Sequence, residues 1–460
     1  MQRPGRPRAV PAVLATVAVL GLSGCASFVI ERPRVDEPPR QGSGDVTVVG
    51  AVDGTVDDRA RAALADLEDY WAQTLPEVFG VEFVPLAGGY FSVDPDDVDP
   101  GEFPDGVGCG AQPLEAENNA FYCLASGAPH SDAITYDRNF LAELAEGYGE
   151  FIPALVMAHE FGHAVQARVG SPGSSIAIET QADCLAGSWT RWVAQGDAAR
   201  SRIRAPELDE LLSGYLLLRD PVGTSTAAQS AHGSYFDRVS AFQEGFDGGA
   251  EACRDNFGPG RVFTQGRFQT DDDFRNQGNE TYPQLIRLVR LSLPEFWDRA
   301  FREVLRETFT EPELVAFGGT PPTCADEDRD LVYCPAEDLV GFDEEDLTTE
   351  VYDIGDFAVA TAISIPYALA ARDQLGLSID DEDAVRSAVC LTGWYSAQVY
   401  NQTITTVRIS PGDLDESVQF LLDYGDDPAV LGTADLTGFQ LVDLFRGGFV
   451  SGARACDVGI

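Results

Sequence analysis

The segment His159-Glu160-Phe161-Gly162-His163 sets two imidazoles four residues apart, with a glutamate directly after the first. On a helix such a pair lies about one turn apart on one face, so both rings can ligate the same divalent ion. The glutamate then stands beside the open coordination position, where it can take a proton from an attacking water. The chain has only 4 histidines in 460 residues, and two of them fall in this segment. The chemistry to which such a pattern points is metal-assisted hydrolysis, and the elements around it decide how far the pattern carries.

The element expected to hold the pair is a buried helix. Residues 151–158 are apolar, with Pro153 confined to the first turn, where a missing N–H costs nothing. The run continues through Val169 and stops at Gly170, with Pro172 just beyond. Zinc in a hydrolytic site needs a third protein ligand. Downstream, Ile178 to Asp183 opens a second helical pattern running towards Trp189 and Trp192, and Glu179 and Asp183 share one face of it. Glu179 is assigned as the third ligand. Asp183 is assigned as the acceptor behind the ligands that fixes a histidine tautomer, although spacing alone does not exclude Asp183 as the ligand.

The chain also resembles itself. Gly149-Glu150-Phe151 through Gly170 has a counterpart of equal length in Gly355-Asp356-Phe357 through Gly376, at an offset of 206 residues (149 to 355). The same offset carries Tyr136-Asp137 onto Phe342-Asp343 and Cys184 onto Cys390. With small insertions, Tyr70-Trp71 pairs with Phe296-Trp297, and Gly245-Phe246 with Gly448-Phe449. The sequence therefore reads as two copies of one domain, over residues 45–257 and 258–460. At the critical positions His159 becomes Ile365, Glu160 becomes Pro366, His163 becomes Leu369, Glu179 becomes Val385 and Asp183 becomes Val389. Scaffold residues persist while the five chemistry-bearing ones are lost together, so copy one is expected to work and copy two to be degenerate. Pro366 predicts a kinked or shortened helix there.

Setting Cys25 aside, each copy carries four cysteines in the same order. The simplest pairing is Cys109–Cys123 and Cys184–Cys253, repeated as Cys324–Cys334 and Cys390–Cys456, and an exported chain makes disulfides the expected state. Export is read from the N-terminus. Arg3, Arg6 and Arg8 precede an apolar run from Ala9 to Leu22 that is short for a membrane span and ends in Leu22-Ser23-Gly24-Cys25. That ending resembles a bacterial lipobox, which implies a signal over residues 1–24, a lipid on Cys25 anchoring the chain to the membrane, and a linker over 25–44. The formal net charge is −44, and every basic residue is arginine. Such acidity argues against nucleic acid as a partner.

HEFGHAVQ followed by ETQADCLAG, and preceded by Gly108-Cys109-Gly110, Phe121-Tyr122-Cys123 and Ile134-Thr135-Tyr136-Asp137, resembles the bacterial neutral zinc metallopeptidase family over about residues 60–255. The resemblance implies an α+β zincin-type domain, a thermolysin-like zinc site with a glutamate third ligand, and endopeptidase activity on a peptide or protein substrate. The family's His-Gly-Ser/Thr segment is matched by His232-Gly233-Ser234. His232 is the first candidate to stabilise an oxyanion and Tyr235 the second. The expectation is a membrane-anchored, extracytoplasmic zinc endopeptidase acting through Glu160. The rival is a non-catalytic envelope binding or assembly protein on the same scaffold, and the oligomeric state stays open.

Overall fold

The computed structural model of the chain describes residues 46–324, 328–432 and 434–460. The expected signal, Cys25 and the linker lie outside the described residues. Helix α1 (Val56–Thr74) begins where the Thr55 hydroxyl accepts from the Asp57 N–H. It buries Ala60, Ala63, Leu64, Leu67 and Trp71 at helical spacing. Behind it lie β1 (Val48–Val49), β2 (Gly89–Val93), β3 (Ala120–Cys123) and β4 (Ala133–Asp137), in the order β1-β2-β4-β3. The β1–β2 and β2–β4 pairs are parallel, and β3 runs antiparallel to β4 at the edge. Buried Asp57 ties helix to sheet by accepting from Ser92 Oγ at 2.8 Å and the Tyr136 hydroxyl at 2.7 Å.

At the end of β4 the Asp137 carboxylate caps α2 (Arg138–Tyr148). Then follow α3 (Ile152–Val169), α4 (Ser175–Ala194), α5 (Pro206–Leu218) and α6 (Tyr235–Asp255). Helix α3 is buried along nearly its whole length and stops at Gly170, whose φ of +96° suits glycine. Helices α4 and α6 cross closely. A Cβ on Gly245 would overlap the carbonyl oxygen of Cys184, and one on Gly187 that of Phe242.

The second half places α7 (Tyr282–Ala300) before β5 (Glu313–Phe317), β6 (Leu331–Cys334) and β7 (Leu339–Asp343). Here β5 is parallel and β6 antiparallel to β7. The registers match those of the first sheet: Leu339 faces Cys334 as Ala133 faces Cys123, and Phe342 faces Leu331 as Tyr136 faces Ala120. Helices α8 (Asp356–Gln374), α9 (Glu382–Tyr400), α10 (Asp413–Tyr424) and α11 (Gly438–Ser451) complete it. At the α9–α11 crossing, Gly393 and Gly448 meet the carbonyls of Phe445 and Cys390 as closely as their counterparts do. Helix α8 is not shortened at Pro366. It runs unbroken for 19 residues, and the proline is buried inside it. Packing on all sides outweighs the local cost of one lost hydrogen bond.

All four expected disulfides are present: Cys109–Cys123, Cys184–Cys253, Cys324–Cys334 and Cys390–Cys456. Among the described residues no helix is long and apolar enough to cross a membrane. The chain is thus an α+β, disulfide-linked protein, and its disulfides are compatible with export.

The two halves meet through reciprocal contacts. Asp209 at α5 accepts from the N–H groups of Gly438 and Phe439 at the start of α11. Asp415 at α10 accepts from the N–H of Phe236 at the start of α6. Phe236 packs on Phe449 with ring centroids 4.9 Å apart, and Phe439 packs on Phe246 at 6.1 Å. Each half supplies the same kinds of residue to the other.

Candidate metal centre

Helix α3 presents His159 and His163 with their Nε2 atoms 3.1 Å apart and their rings nearly perpendicular, at 87°. The first turns of α4 bring Glu179 Oε2 to 3.3 Å from His159 Nε2 and 3.5 Å from His163 Nε2. The opposite ring nitrogens are engaged. His159 Nδ1 lies 2.8 Å from Asp183 Oδ1, and His163 Nδ1 lies 2.9 Å from Gln166 Oε1. The orientation of Gln166 is fixed, because its amide nitrogen donates to the Ile178 carbonyl at 2.7 Å and to Gln181. Both partners of the histidines are acceptors, so both imidazoles carry their proton on Nδ1. The two Nε2 lone pairs therefore face one point, joined by Glu179 Oε2, a buried oxygen with no hydrogen-bond donor.

Three lone-pair atoms so converged repel one another unless a cation lies among them. Their spacing suits zinc, whose nitrogen and oxygen ligands at about 2.0–2.2 Å sit about 3.3 Å from each other in a tetrahedron. His159, His163 and Glu179 are thus the residues that would hold a metal. Without one, protons and charges compensate. Burial opposes the charged form of His159, but the nearby carboxylates of Asp183 and Glu179 outweigh it and push its pKa up to about 9. Burial likewise opposes and Glu179 outweighs at His163, which is also raised. Glu179 is held well below the usual carboxylate range, the two histidines overcoming its desolvation.

Glu160 is fully buried, which raises its pKa, and the neighbouring histidines offset that only in part. Its Oε2 accepts from the Tyr122 N–H of edge strand β3 at 2.7 Å, and its Oε1 has no hydrogen-bond donor. Glu160, His163 and Glu179 line an open cleft of about 390 Å³ with Phe121, Tyr122 and Gln166.

No family model matches the chain. No solved structure matches it either. The chain is 29% identical over 174 residues to the uncharacterized protein YpfJ of Escherichia coli K12, covering 33% of this chain and 58% of that one. It is 27% identical over 179 residues to the uncharacterized protein Rv2575 of Mycobacterium tuberculosis H37Rv, covering 33% and 59%. It thus spans under two thirds of the length of these relatives.

The five residues singled out by spacing come together: His159, His163 and Glu179 converge, Glu160 stands beside them, and Asp183 lies behind His159. The open alternative for Asp183 closes, because both its oxygens are committed to His159 and to Arg238. His232 sits on a neighbouring loop. Gly233 takes a φ of +121°, and a Cβ there would lie 3.3 Å from Thr180, the residue after Glu179. The His232 Nδ1 faces Asp220 Oδ1 at 3.1 Å, and Asp220 also accepts from the main-chain N–H groups of His232 and Gly233. Tyr235 is not brought to the site. Its ring is buried and its hydroxyl donates to the Leu212 carbonyl at 2.6 Å, a core role that removes it as an oxyanion donor.

Arg238, Gln166 and Asp220 are functional neighbours that sequence reasoning missed. Arg238 is wholly buried and grips Asp183 with two nitrogens, at 2.9 and 2.8 Å, while its third donates to the Leu218 carbonyl at 2.6 Å. The Arg238 charge outweighs burial and holds Asp183 below its usual range. An arginine within the apolar stripe of α6 was the available signal, since such a residue needs a buried acid.

Proposed function

We propose that the protein is an exported zinc-dependent endopeptidase of the neutral metallopeptidase type it resembles. In this reading the first half, residues 45–257, is a zincin-type catalytic domain, and residues 258–460 are a copy without the metal site. The mature chain is anchored by a lipid on Cys25. The observation that carries the reading is the convergence of two Nδ1-protonated histidines and the undonated oxygen of Glu179 on one point, beside buried Glu160. The duplication is supported by the identical sheet registers, the repeated glycine crossings and the reciprocal contacts between halves.

Bound zinc would polarise the scissile carbonyl and acidify the attacking water. The protein's own residues do the rest. The Tyr122 N–H holds Glu160 Oε2, leaving Oε1 to accept the proton of the water and to pass it to the departing amine. Burial raises the basicity Glu160 needs for that exchange. Asp183 and Gln166 keep both ligand histidines in one tautomer and one orientation. His232, held by Asp220 on the neighbouring loop, is the remaining candidate to face the developing oxyanion.

The test compares parent protein with Glu160→Gln. Both should retain close to one equivalent of zinc, and the variant should lose cleavage of a mixed peptide library by about 10²–10⁴-fold. A specific observation favours a second reading: the second half keeps its fold with Ile365, Pro366 and Leu369 in place of the three residues. A scaffold so tolerant could serve binding or assembly at the envelope. Equal cleavage by parent and variant, or none by either, selects that reading.

A further inference from the structure

The Asp183–Arg238 pair that supports His159 is itself held from outside the first half. Arg238 lies in the first turn of α6, between two anchors. Two residues before it, the N–H of Phe236 is one of the four that a helix start leaves without an internal partner. That N–H donates to Asp415 Oδ1 at 2.9 Å. Leu218, whose carbonyl receives Arg238, is followed by Arg219, whose guanidinium donates to Asp415 Oδ2 at 2.6 Å. One carboxylate therefore clamps both walls of the Arg238 pocket. Asp415 is 3% exposed and belongs to α10, in the second half.

We propose that Asp415 is a positioning residue for the metal centre, acting through Arg219, α6, Arg238 and Asp183, so that the first half's site is complete only with the second half docked. This rests on the metal reading above. The molecule contains its own control. Asp209 makes the counterpart helix cap, accepting from the N–H groups of Gly438 and Phe439 at 3.1 and 2.8 Å, with no arginine in the place of Arg219. At the corresponding positions of the second half, Arg238 becomes Leu441 and Asp183 becomes Val389, both buried. The two clamps cap helices alike, yet only one leads to ligands.

Asp415→Ala and Asp209→Ala are compared in the full-length ectodomain by zinc affinity, in competition with a chromogenic chelator, and by thermal unfolding. Both variants should lose stability to a similar extent. Zinc affinity should fall about five- to tenfold in Asp415→Ala, somewhat less than the loss of a group that touches a ligand directly, and stay within twofold of parent in Asp209→Ala. If Asp415→Ala does not fold, Asp415→Asn replaces it, keeping an acceptor for Phe236 but no charge for Arg219, and a severalfold loss is expected. Unchanged affinity in the Asp415 variant, or equal losses in both positions, overturns the proposal. A parent protein that binds no zinc overturns the metal reading itself, and the proposal with it.

Discussion

At His163 the tautomer depends on Gln166, and at His159 on Asp183, which in turn depends on Arg238. The last of these links is the most costly to break, because it leaves the wholly buried Asp183 carboxylate with His159 as its remaining charged partner. Arg238→Leu should therefore destabilise the protein by about 3–5 kcal/mol, measured by urea unfolding. Adding Asp183→Val, so that both positions take the residues of the second half, should recover most of that stability. Zinc affinity should not recover, since His159 has lost its orienting acceptor. Recovery of both would mean that Asp183 serves packing alone. Much of this residue scale is legible in the chain. His159, Glu160 and His163 follow from helical periodicity, and Glu179 and Asp183 from the next helix start. Arg238 is not, because it meets Asp183 across 55 residues and two further loops, and nothing local in a sequence encodes which buried acid an arginine will find.

The elements obey local rules where those rules are strong. Helix α3 stops at Gly170 as its glycine and proline signals predict, and Asp137 and Asp343 cap the structures that follow β4 and β7. They depart from them at Pro366, where the helix continues past a buried proline that locally favours a break. The crossings α4–α6 and α9–α11 are set by glycine, since any side chain there meets a backbone carbonyl rather than a movable side chain. Gly245→Ala and Gly448→Ala should each lower stability by about 1–3 kcal/mol or more, read as a shift in the urea midpoint. Only Gly245→Ala should also weaken zinc binding, because α6 carries Arg238. An unchanged midpoint in both would show that these helices can separate at no cost.

The whole molecule carries a formal charge of −44, and one concentration of acid is buried. Asp356, Asp413 and Glu416 bring oxygens within 4.8 Å of one another where α8 and α10 meet. Burial first, then mutual repulsion, pushes Glu416 up to about 8 and raises Asp413 well above its usual range. Backbone donors temper but do not reverse the burial that lifts Asp356 to about 6. The folded state thus holds protons that the unfolded chain has released. Stability from this cluster is full below about pH 4 and is lost as pH rises towards 8. Thermal midpoints should fall over that interval, and Glu416→Gln should flatten the fall; an equal slope in the variant would assign it to other groups. The reciprocal clamps of Asp209 and Asp415 have a consequence for how the protein works at low abundance. Two separate chains meeting through such a surface would come apart on dilution. Joined in one chain, each half finds its partner at a local concentration set by the connecting segment. The support of the proposed metal centre is therefore independent of how much protein the cell makes.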